Sequence, residues 1–157
     1  MTGDLEVDFA DEADIPGLLV LAERAWAEAP LYGGQGRPPD CDRWEDVITA
    51  VVAHGCPVVG RVGGVLAGAI LGCREQDYGT GDTAVVDLLT YIAPEHRSEP
   101  GLLAAMAGLM EAWGEEHGLH WARLGSRSGY RPKATARLFA SLGYRPMPFV
   151  ESWKRLH

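Results

Sequence analysis

One strand–turn–helix segment constrains the fold of this 157-residue chain more than any other. Thr83 to Ile92 form an apolar run typical of a buried strand, and Pro94 stops it. A short polar stretch then leads to a helix predicted to begin near Pro100. The N–H groups at a helix N-terminus lack intrahelical partners, and the helix dipole makes that end positive. The segment therefore predicts an anion site, with a phosphate-bearing ligand as the first hypothesis, although most units of this shape bind nothing.

Length and composition predict one domain spanning residues 1–157, with 46% hydrophobic residues to form its core. The 22 acidic and 14 basic residues give a net charge of −8, which disfavours nucleic acid and favours cationic partners, or only keeps the protein soluble. Cys41, Cys56 and Cys73 are widely spaced, so neither a disulfide framework nor a metal site is expected. With no leader-like N-terminus and no apolar run of membrane-spanning length, we expect a cytoplasmic protein without a membrane partner.

Hydrophobic periodicity and turn residues predict the order β-α-α-β-β-β-α-β-α-β. The predicted strands are Leu5–Phe9, Pro57–Val62, Val65–Cys73, Thr83–Ile92, Trp121–Leu124 and Tyr144–Trp153. The predicted helices run from Asp14 to before Pro30, from Asp40 or Asp42 to Gly55, from about Pro100 to Gly118, and from Pro132 to Gly143. Gly63-Gly64 predicts a tight hairpin turn, and Val85 to Leu124 predicts a parallel β-α-β unit. The fold class is α/β, with a mixed, mainly antiparallel central sheet and helices on both faces.

This order of elements resembles the GNAT superfamily of N-acetyltransferases, and so do three local features. Ile92–Arg97, with the sequence IAPEHR, is similar to the family's V-x-P-E-x-R/Q strand end before its pyrophosphate loop. The long helix ending at Gly118 precedes the next strand at the family spacing. Leu138–Tyr144, with the sequence LFASLGY, is similar to the family's L-Y-x-x-L-G-F/Y signature. The resemblance covers nearly the whole chain and implies a single GNAT-like domain in which two parallel strands splay apart.

The resemblance implies that the protein binds acetyl-CoA or another acyl-CoA. The pantetheine arm would lie between the splayed strands and pair with strand backbone, at positions Thr90, Tyr91 and Ile92. The pyrophosphate would lie on the loop and helix start that follow, at Arg97, Ser98, Glu99, Gly101, Leu102 and Leu103. Arg97 would add a permanent positive charge there.

The chain departs from the family pattern in this loop. Pro100 stands in place of the first glycine of R/Q-x-x-G-x-G/A and has no N–H to donate. Leu102 replaces the second glycine, where a side chain is expected to crowd the phosphate. Glu99 adds negative charge, and Gly101 offsets these changes in part.

The implied reaction is direct attack of a primary amine, on a small molecule or a peptide, at the thioester carbonyl. Asp87 interrupts the apolar strand near the splay and is the candidate base, with a water-facing aspartate as the alternative. Alternation along the strand places Asp87, Leu89 and Tyr91 on one face. Strand backbone near Tyr91 and Ile92 is expected to supply the oxyanion donor.

A proton donor for the leaving thiolate is less clearly marked. Phe139 stands where many family members carry the tyrosine that protonates the thiolate, and phenylalanine cannot do so. Tyr144 is the candidate replacement, with Tyr130, Ser126 or solvent as alternatives. In the other interpretation, Phe139 and Tyr144 are simply aromatic residues of the core.

The first two helices and their loop are expected to contact the acceptor, through the aromatic side chains of Trp26, Tyr32 and Trp44 and the carboxylates of Glu23 and Glu28. In the alternative interpretation, the aromatic residues belong to the core and the two glutamates are solvated surface charges. Three basic residues cluster near the start of the last helix: Arg127, Arg131 and Lys133. They either contact the 3′-phosphate of CoA or are ordinary surface charges. The altered loop and Phe139 leave a second class of function open, a catalytically inactive GNAT-like module that binds acyl-CoA or a protein partner. The acceptor, the acyl group and a homodimer through the final strand are not determined by the sequence.

Overall fold

Five strands form one mixed sheet within residues 3–29, 38–125 and 131–147, which are the residues that the computed structural model describes. The strands are β1 (Leu5–Phe9), β2 (Cys56–Val62), β3 (Val65–Gln76), β4 (Thr83–Ile92) and β5 (Trp121–Arg123). They lie in the order β1-β2-β3-β4-β5, antiparallel except for the parallel pair β4–β5. The predicted α/β class, with a mainly antiparallel sheet and one parallel β-α-β unit, is confirmed.

Helices cover both faces of this sheet. They are α1 (Ile15–Glu28), α2 (Cys41–His54), α3 (Leu102–Glu116) and α4 (Pro132–Ser141). Leu18 of α1 and Ile48 of α2 are fully buried in one apolar cluster with Leu71 of β3. Met106 of α3 is fully buried in a second cluster with Ile70, the neighbouring residue of β3. Because successive side chains of a strand point to opposite faces, the two clusters form two core layers with the sheet between them.

A β-bulge in β4 changes which side chains share a face. Gly72 of β3 lies opposite Asp87 and Leu71 lies opposite Leu89, so Leu88 is the extra residue. A bulge shifts the alternation of side chains by one position and bends the strand. Asp87 therefore lies on the α3 face, whereas Leu89 and Tyr91 lie in the cluster with α1 and α2. The prediction that Asp87, Leu89 and Tyr91 share one face is wrong for this reason.

Helix α1 begins where it was predicted to, directly after Asp14, but the capping contact differs. Asp14 makes no side-chain cap bond to α1, since Asp11 and Asp14 instead form a capping box around a 3₁₀ turn. Helix α3 begins at Leu102 rather than near Pro100, because Gly101 has a φ of 80°, in the left-handed region.

The turn predicted at Gly63-Gly64 is confirmed, with φ angles of 57° and 78°. The predicted final strand is not seen at its start, because residues 144–147 adopt no strand conformation. The rest of that predicted strand lies outside the described residues.

In the described ranges no helix has the length and apolar character needed to cross a membrane. Across the same ranges, no three His, Cys, Asp or Glu side chains group closely enough to hold a metal ion.

Candidate active site at the β4–β5 fork

The parallel pairing between β4 and β5 covers only the first part of β4. Their pairing consists of Ala84 with Trp121, Val85 with Ala122 and Val86 with Arg123, while β4 itself continues to Ile92. No strand of the described ranges pairs with this edge of β4 beyond Val86. We call this unpaired edge of β4, from Asp87 to Ile92, together with Leu124–Gly125 opposite its start, the fork. The bulge at Leu88 lies just beyond the last paired position, and a bulge increases the local twist of a strand, which disfavours further pairing there.

The register with β3 shows which backbone groups of β4 face the fork. The Ala93 N–H donates to the Ala67 carbonyl at 2.9 Å, so these two residues form a hydrogen-bonded pair of the antiparallel ladder. Such pairs alternate along a ladder, so Tyr91 opposite Ala69 also directs its N–H and C=O toward β3. Thr90 and Ile92 direct theirs toward the fork. Backbone contacts were predicted at Thr90, Tyr91 and Ile92, and the register leaves Tyr91 out of that set.

Asp87 bridges the two sides of the fork at its base. Its Oδ1 accepts the backbone N–H of Gly125 at 2.9 Å, and its Oδ2 accepts the Thr90 hydroxyl at 2.6 Å. Gly125 follows β5, so one half-buried carboxylate contacts both sides of the fork. Hydrogen bonds to an ionised acceptor are stronger than neutral ones, so this bridge fixes the width of the fork at its base.

Tyr144 lies on the same side of the sheet. Its hydroxyl donates to Oε1 of Glu111 at 2.8 Å. Burial raises the pKa of Tyr144, and the hydrogen bond to Glu111 and the negative charge of Asp87 raise it further. The two predicted catalytic residues are therefore close enough to interact electrostatically, but a raised pKa makes Tyr144 a weaker proton donor. The Phe139 ring centroid lies 6.3 Å from that of Tyr144 and carries no ionisable group.

The fork opens toward the N-terminus of α3. This terminus has no side-chain cap, and the first α-helical hydrogen bond runs from the Ala105 N–H to the Gly101 carbonyl at 2.8 Å. The N–H groups of Leu102, Leu103 and Ala104 therefore have no helical acceptor, as at any helix start. A Cβ built on Gly101 meets no atom within 4 Å, so the space beside this turn is open. These are the requirements of an anion site.

Leu102 does not crowd this space. The residue is 1% exposed, and its side chain packs toward Gly60 of β2 and Met106. The expected steric conflict is therefore wrong, because the leucine at the glycine position points into the core. The Glu99 amide, a predicted donor, is already bonded to the His96 carbonyl at 3.1 Å. Ser98 is exposed in the same turn.

Arg97 faces α1. It forms an ion pair with Glu28 through Nη2, and its Nε donates to the Ile92 carbonyl at 3.0 Å. Its guanidinium carbon lies 5.5 Å from the centroid of the Tyr91 ring. The Tyr91 hydroxyl donates to the other carboxylate oxygen of Glu28.

A second ion pair joins α1 to the same turn. Arg24 donates two parallel hydrogen bonds to Glu95, at 2.9 and 2.7 Å. We call the five residues of these contacts the α1 latch: Arg24, Glu28, Tyr91, Glu95 and Arg97. Burial alone would raise the pKa of Glu28, but hydrogen bonds from Tyr91 and Arg97 outweigh it, so that pKa lies below its ordinary value. Burial and the bond to Glu28 raise the pKa of Tyr91 to about 12.

Sequence reasoning missed the α1 latch. The only signal was the pair of opposite charges at Arg24 and Glu28, one helical turn apart and so on one face of α1. Their partners are 71 and 69 positions further along the chain, and no local pattern indicates that contact.

The remaining predicted site residues have no contact with the fork or the α1 latch among those described above. Trp44 packs partly buried against the α1–α2 core, and Trp26 is half-buried. Arg131 and Lys133 are exposed at the start of α4. Tyr32, Ser126, Arg127 and Tyr130 lie outside the described residues.

Solved structures share this architecture over nearly their whole length. The aminoglycoside acetyltransferase AAC(6')-Iy, in complex with the bisubstrate analogue CoA-S-monomethyl-acetylneamine, aligns with a TM-score of 0.77 at 13% identity, over 97% of this chain and 98% of that one. A ribosomal-protein-alanine N-acetyltransferase from Brucella melitensis biovar Abortus 2308 aligns with a TM-score of 0.73 at 17% identity, over 98% and 100%. A GCN5-related N-acetyltransferase from Ralstonia eutropha JMP134 aligns with a TM-score of 0.72 at 19% identity, over 96% and 99%.

The chain has the GNAT fold. Identities this low establish the fold alone, and no protein-family model and no curated protein matches the sequence itself. The fork lies where the resemblance implied a splayed parallel pair, and the uncapped start of α3 lies where the pyrophosphate loop was expected.

Proposed function

We propose that this protein transfers an acetyl or other acyl group from acyl-CoA to a primary amine of a small molecule or peptide. The observation that carries the proposal is the fork. Past Val86, the backbone groups of Thr90 and Ile92 face away from β3, and β4 then leads into the uncapped N-terminus of α3. The resemblance in fold to AAC(6')-Iy with its CoA-containing bisubstrate analogue supports the same conclusion.

The residues present fit a CoA ligand. An extended pantetheine arm needs strand-like backbone partners, which Thr90 and Ile92 offer at the fork. A pyrophosphate needs clustered N–H donors, which the first turn of α3 offers beside the open space at Gly101. Neither requirement depends on the glycines that Pro100 and Leu102 replace.

The chemistry needs few side chains. Acyl-CoA would supply a thioester whose carbonyl carbon a neutral amine attacks. Of the β4 N–H groups that face the fork, that of Thr90 is nearer the candidate base, because the Thr90 hydroxyl contacts Asp87. This N–H is the candidate donor to the carbonyl oxygen as negative charge develops on it. Asp87 at the base of the fork is the candidate acceptor for the proton that the attacking amine loses.

Protonation of the departing thiolate has no strong candidate among the described residues. Tyr144 donates its hydroxyl proton to Glu111, and its raised pKa opposes transfer to a thiolate. A thiolate is a fair leaving group without protonation, so solvent can complete this step in the proposed reaction.

Thermal unfolding with and without acetyl-CoA tests the binding step. A ligand at 100 times its dissociation constant stabilises the folded state by about 2.7 kcal/mol, which raises the Tm of a domain this size by roughly 5–10 °C. ATP at equal concentration controls for non-specific binding of a nucleotide polyphosphate. An unchanged Tm at millimolar acetyl-CoA would contradict the proposal.

A non-catalytic acyl-CoA-binding module is the second candidate function. It is favoured by Phe139 at the expected acid position and by the bond that holds the Tyr144 hydroxyl to Glu111. Release of free thiol, followed with a chromogenic disulfide across a panel of amines, separates the two candidates. The transferase is expected to release thiol with at least one amine class, and a Tm rise with no thiol release favours the binding module.

A further inference from the structure

The α1 latch lies directly beside the turn proposed to hold the pyrophosphate. We infer that Glu28 is a positioning residue for CoA binding, which holds Arg97 and thereby the end of β4 in the geometry that directs the loop amides at the ligand. The inference rests on the proposed function and adds to it a residue of α1 that no loop motif contains.

The contacts form a short chain from α1 to the fork. Glu28 accepts from Arg97 and from Tyr91, and the same Arg97 donates through Nε to the Ile92 carbonyl. Ile92 is one of the two residues whose backbone faces the fork. Arg97 also lies over the Tyr91 ring, so the guanidinium is fixed from three directions. A planar guanidinium held in this way positions the backbone it bonds more firmly than a mobile cation would.

Charge within the latch is balanced. Glu28 pairs with Arg97 and Glu95 pairs with Arg24, so the two cations are matched by two carboxylates. The side chain of Arg97 is 34% exposed, and its charge is already paired with the Glu28 carboxylate. The positive field at the turn is then left mainly to the α3 N-terminus and its N–H groups.

Two roles for Arg97 make opposite predictions for Glu28. If Arg97 contacts the phosphate directly, Glu28 competes for it, and removing Glu28 leaves CoA affinity unchanged or improves it. If Glu28 positions the turn through Arg97, its removal weakens CoA binding.

Isothermal titration of the full chain with CoA separates these roles, using Glu28→Ala, Arg97→Ala and the double variant. We expect each single variant to raise the dissociation constant by about tenfold, and the double variant to be no worse than either single one, because both remove the same contact. Glu6→Ala is the control for loss of one carboxylate, since Glu6 is exposed on the edge strand β1, away from the latch. Glu28→Gln keeps the shape of the side chain and serves if Glu28→Ala does not fold.

Steady-state kinetics adds a readout that a general loss of stability would not produce. In Glu28→Gln the KM for acetyl-CoA should rise while kcat at saturation stays within about twofold. Unchanged or tighter CoA binding in Glu28→Ala, with weaker binding in Arg97→Ala, would overturn the inference and leave the proposed function intact. A wild-type chain that does not bind CoA would overturn both.

Discussion

At the scale of single residues, Asp87 has two roles that substitution can separate. It bridges Gly125 and Thr90, and it is the candidate base. Asp87→Asn keeps an oxygen for the Gly125 N–H but removes the charge that would accept a proton. We expect kcat to fall by about 100-fold or more, the range typical of a lost general base, with the KM for acyl-CoA nearly unchanged.

The matched control for this prediction is Thr90→Val, which removes the hydroxyl on the other carboxylate oxygen and leaves the charge in place. It should lower kcat far less than Asp87→Asn does. Initial-rate kinetics against acyl-CoA measures both variants, and full activity in Asp87→Asn would remove Asp87 as the base.

Glu95 makes a pH-dependent contribution to stability. The hydrogen bonds from Arg24 lower the pKa of Glu95 from 4.5 to about 2. Because the pKa is lower in the folded state, this contribution is present above pH 4.5 and is lost as the pH falls toward 2. In urea unfolding across this pH range, the free energy of unfolding should fall less with acidification for Glu95→Gln than for the wild type. The difference is expected to be small, because the pair is exposed.

Glu6→Gln, on the exposed edge strand β1, corrects for the loss of one surface carboxylate in that comparison. If the free energy of unfolding changes equally with pH in the wild type and Glu95→Gln, the Arg24–Glu95 pair adds nothing to the stability of the fold.

At the scale of elements, hydrophobic periodicity was enough to predict most strands and helices, and Gly63-Gly64 was enough to predict the β2–β3 hairpin. The bulge at Leu88 was not predictable, because a bulge is defined by the partner strand and an apolar run reads the same with or without it. That one residue misplaced Asp87 relative to Tyr91. The latch was missed for a related reason, since contacts between distant segments depend on the docking of α1, which no local pattern encodes.

The approach of α3 to the sheet depends on Gly60 of β2. A Cβ at this position would overlap Cδ1 of Leu102 and lie 3.0 Å from Sδ of Met106, both fully buried. Gly60→Ala should therefore cost about 1–3 kcal/mol of unfolding free energy, as overpacked cores do, and should weaken CoA binding by displacing the α3 N-terminus.

Gly108→Ala is the control for the Gly60 variant. Gly108 is exposed on the outer side of α3, with no atom within 4 Å of a built Cβ, so alanine should stabilise the protein by roughly 0.5–1 kcal/mol. Chemical denaturation measures both changes. In a Leu102→Ala background the cost of Gly60→Ala should largely disappear, and a cost that persists there would contradict the proposed overlap.

At the scale of the whole molecule, the proposed ligand and the protein carry charges of the same sign. The chain has a net charge of −8, and CoA is a polyanion through its phosphates. The overall field therefore opposes approach of CoA, while the N–H groups at the start of α3 attract it only at short range. Charges act over about 30 Å at 0.01 M ionic strength but over about 8 Å at 0.15 M, so salt screens the repulsion before it screens the local attraction.

This balance predicts the salt dependence of CoA binding. Association should become faster as ionic strength rises from about 0.01 to 0.15 M, the reverse of the steering usual for oppositely charged partners. Stopped-flow tryptophan fluorescence can follow the rate, since the chain has five tryptophans. Dephospho-CoA, which lacks the 3′-phosphate, should show a weaker dependence because it carries less charge. A rate that falls with salt would mean that a local basic surface outweighs the net charge, and would favour the reading in which Arg131 and Lys133 meet the 3′-phosphate. A cationic amine acceptor, in contrast, should bind more weakly as salt increases, because the same field attracts it.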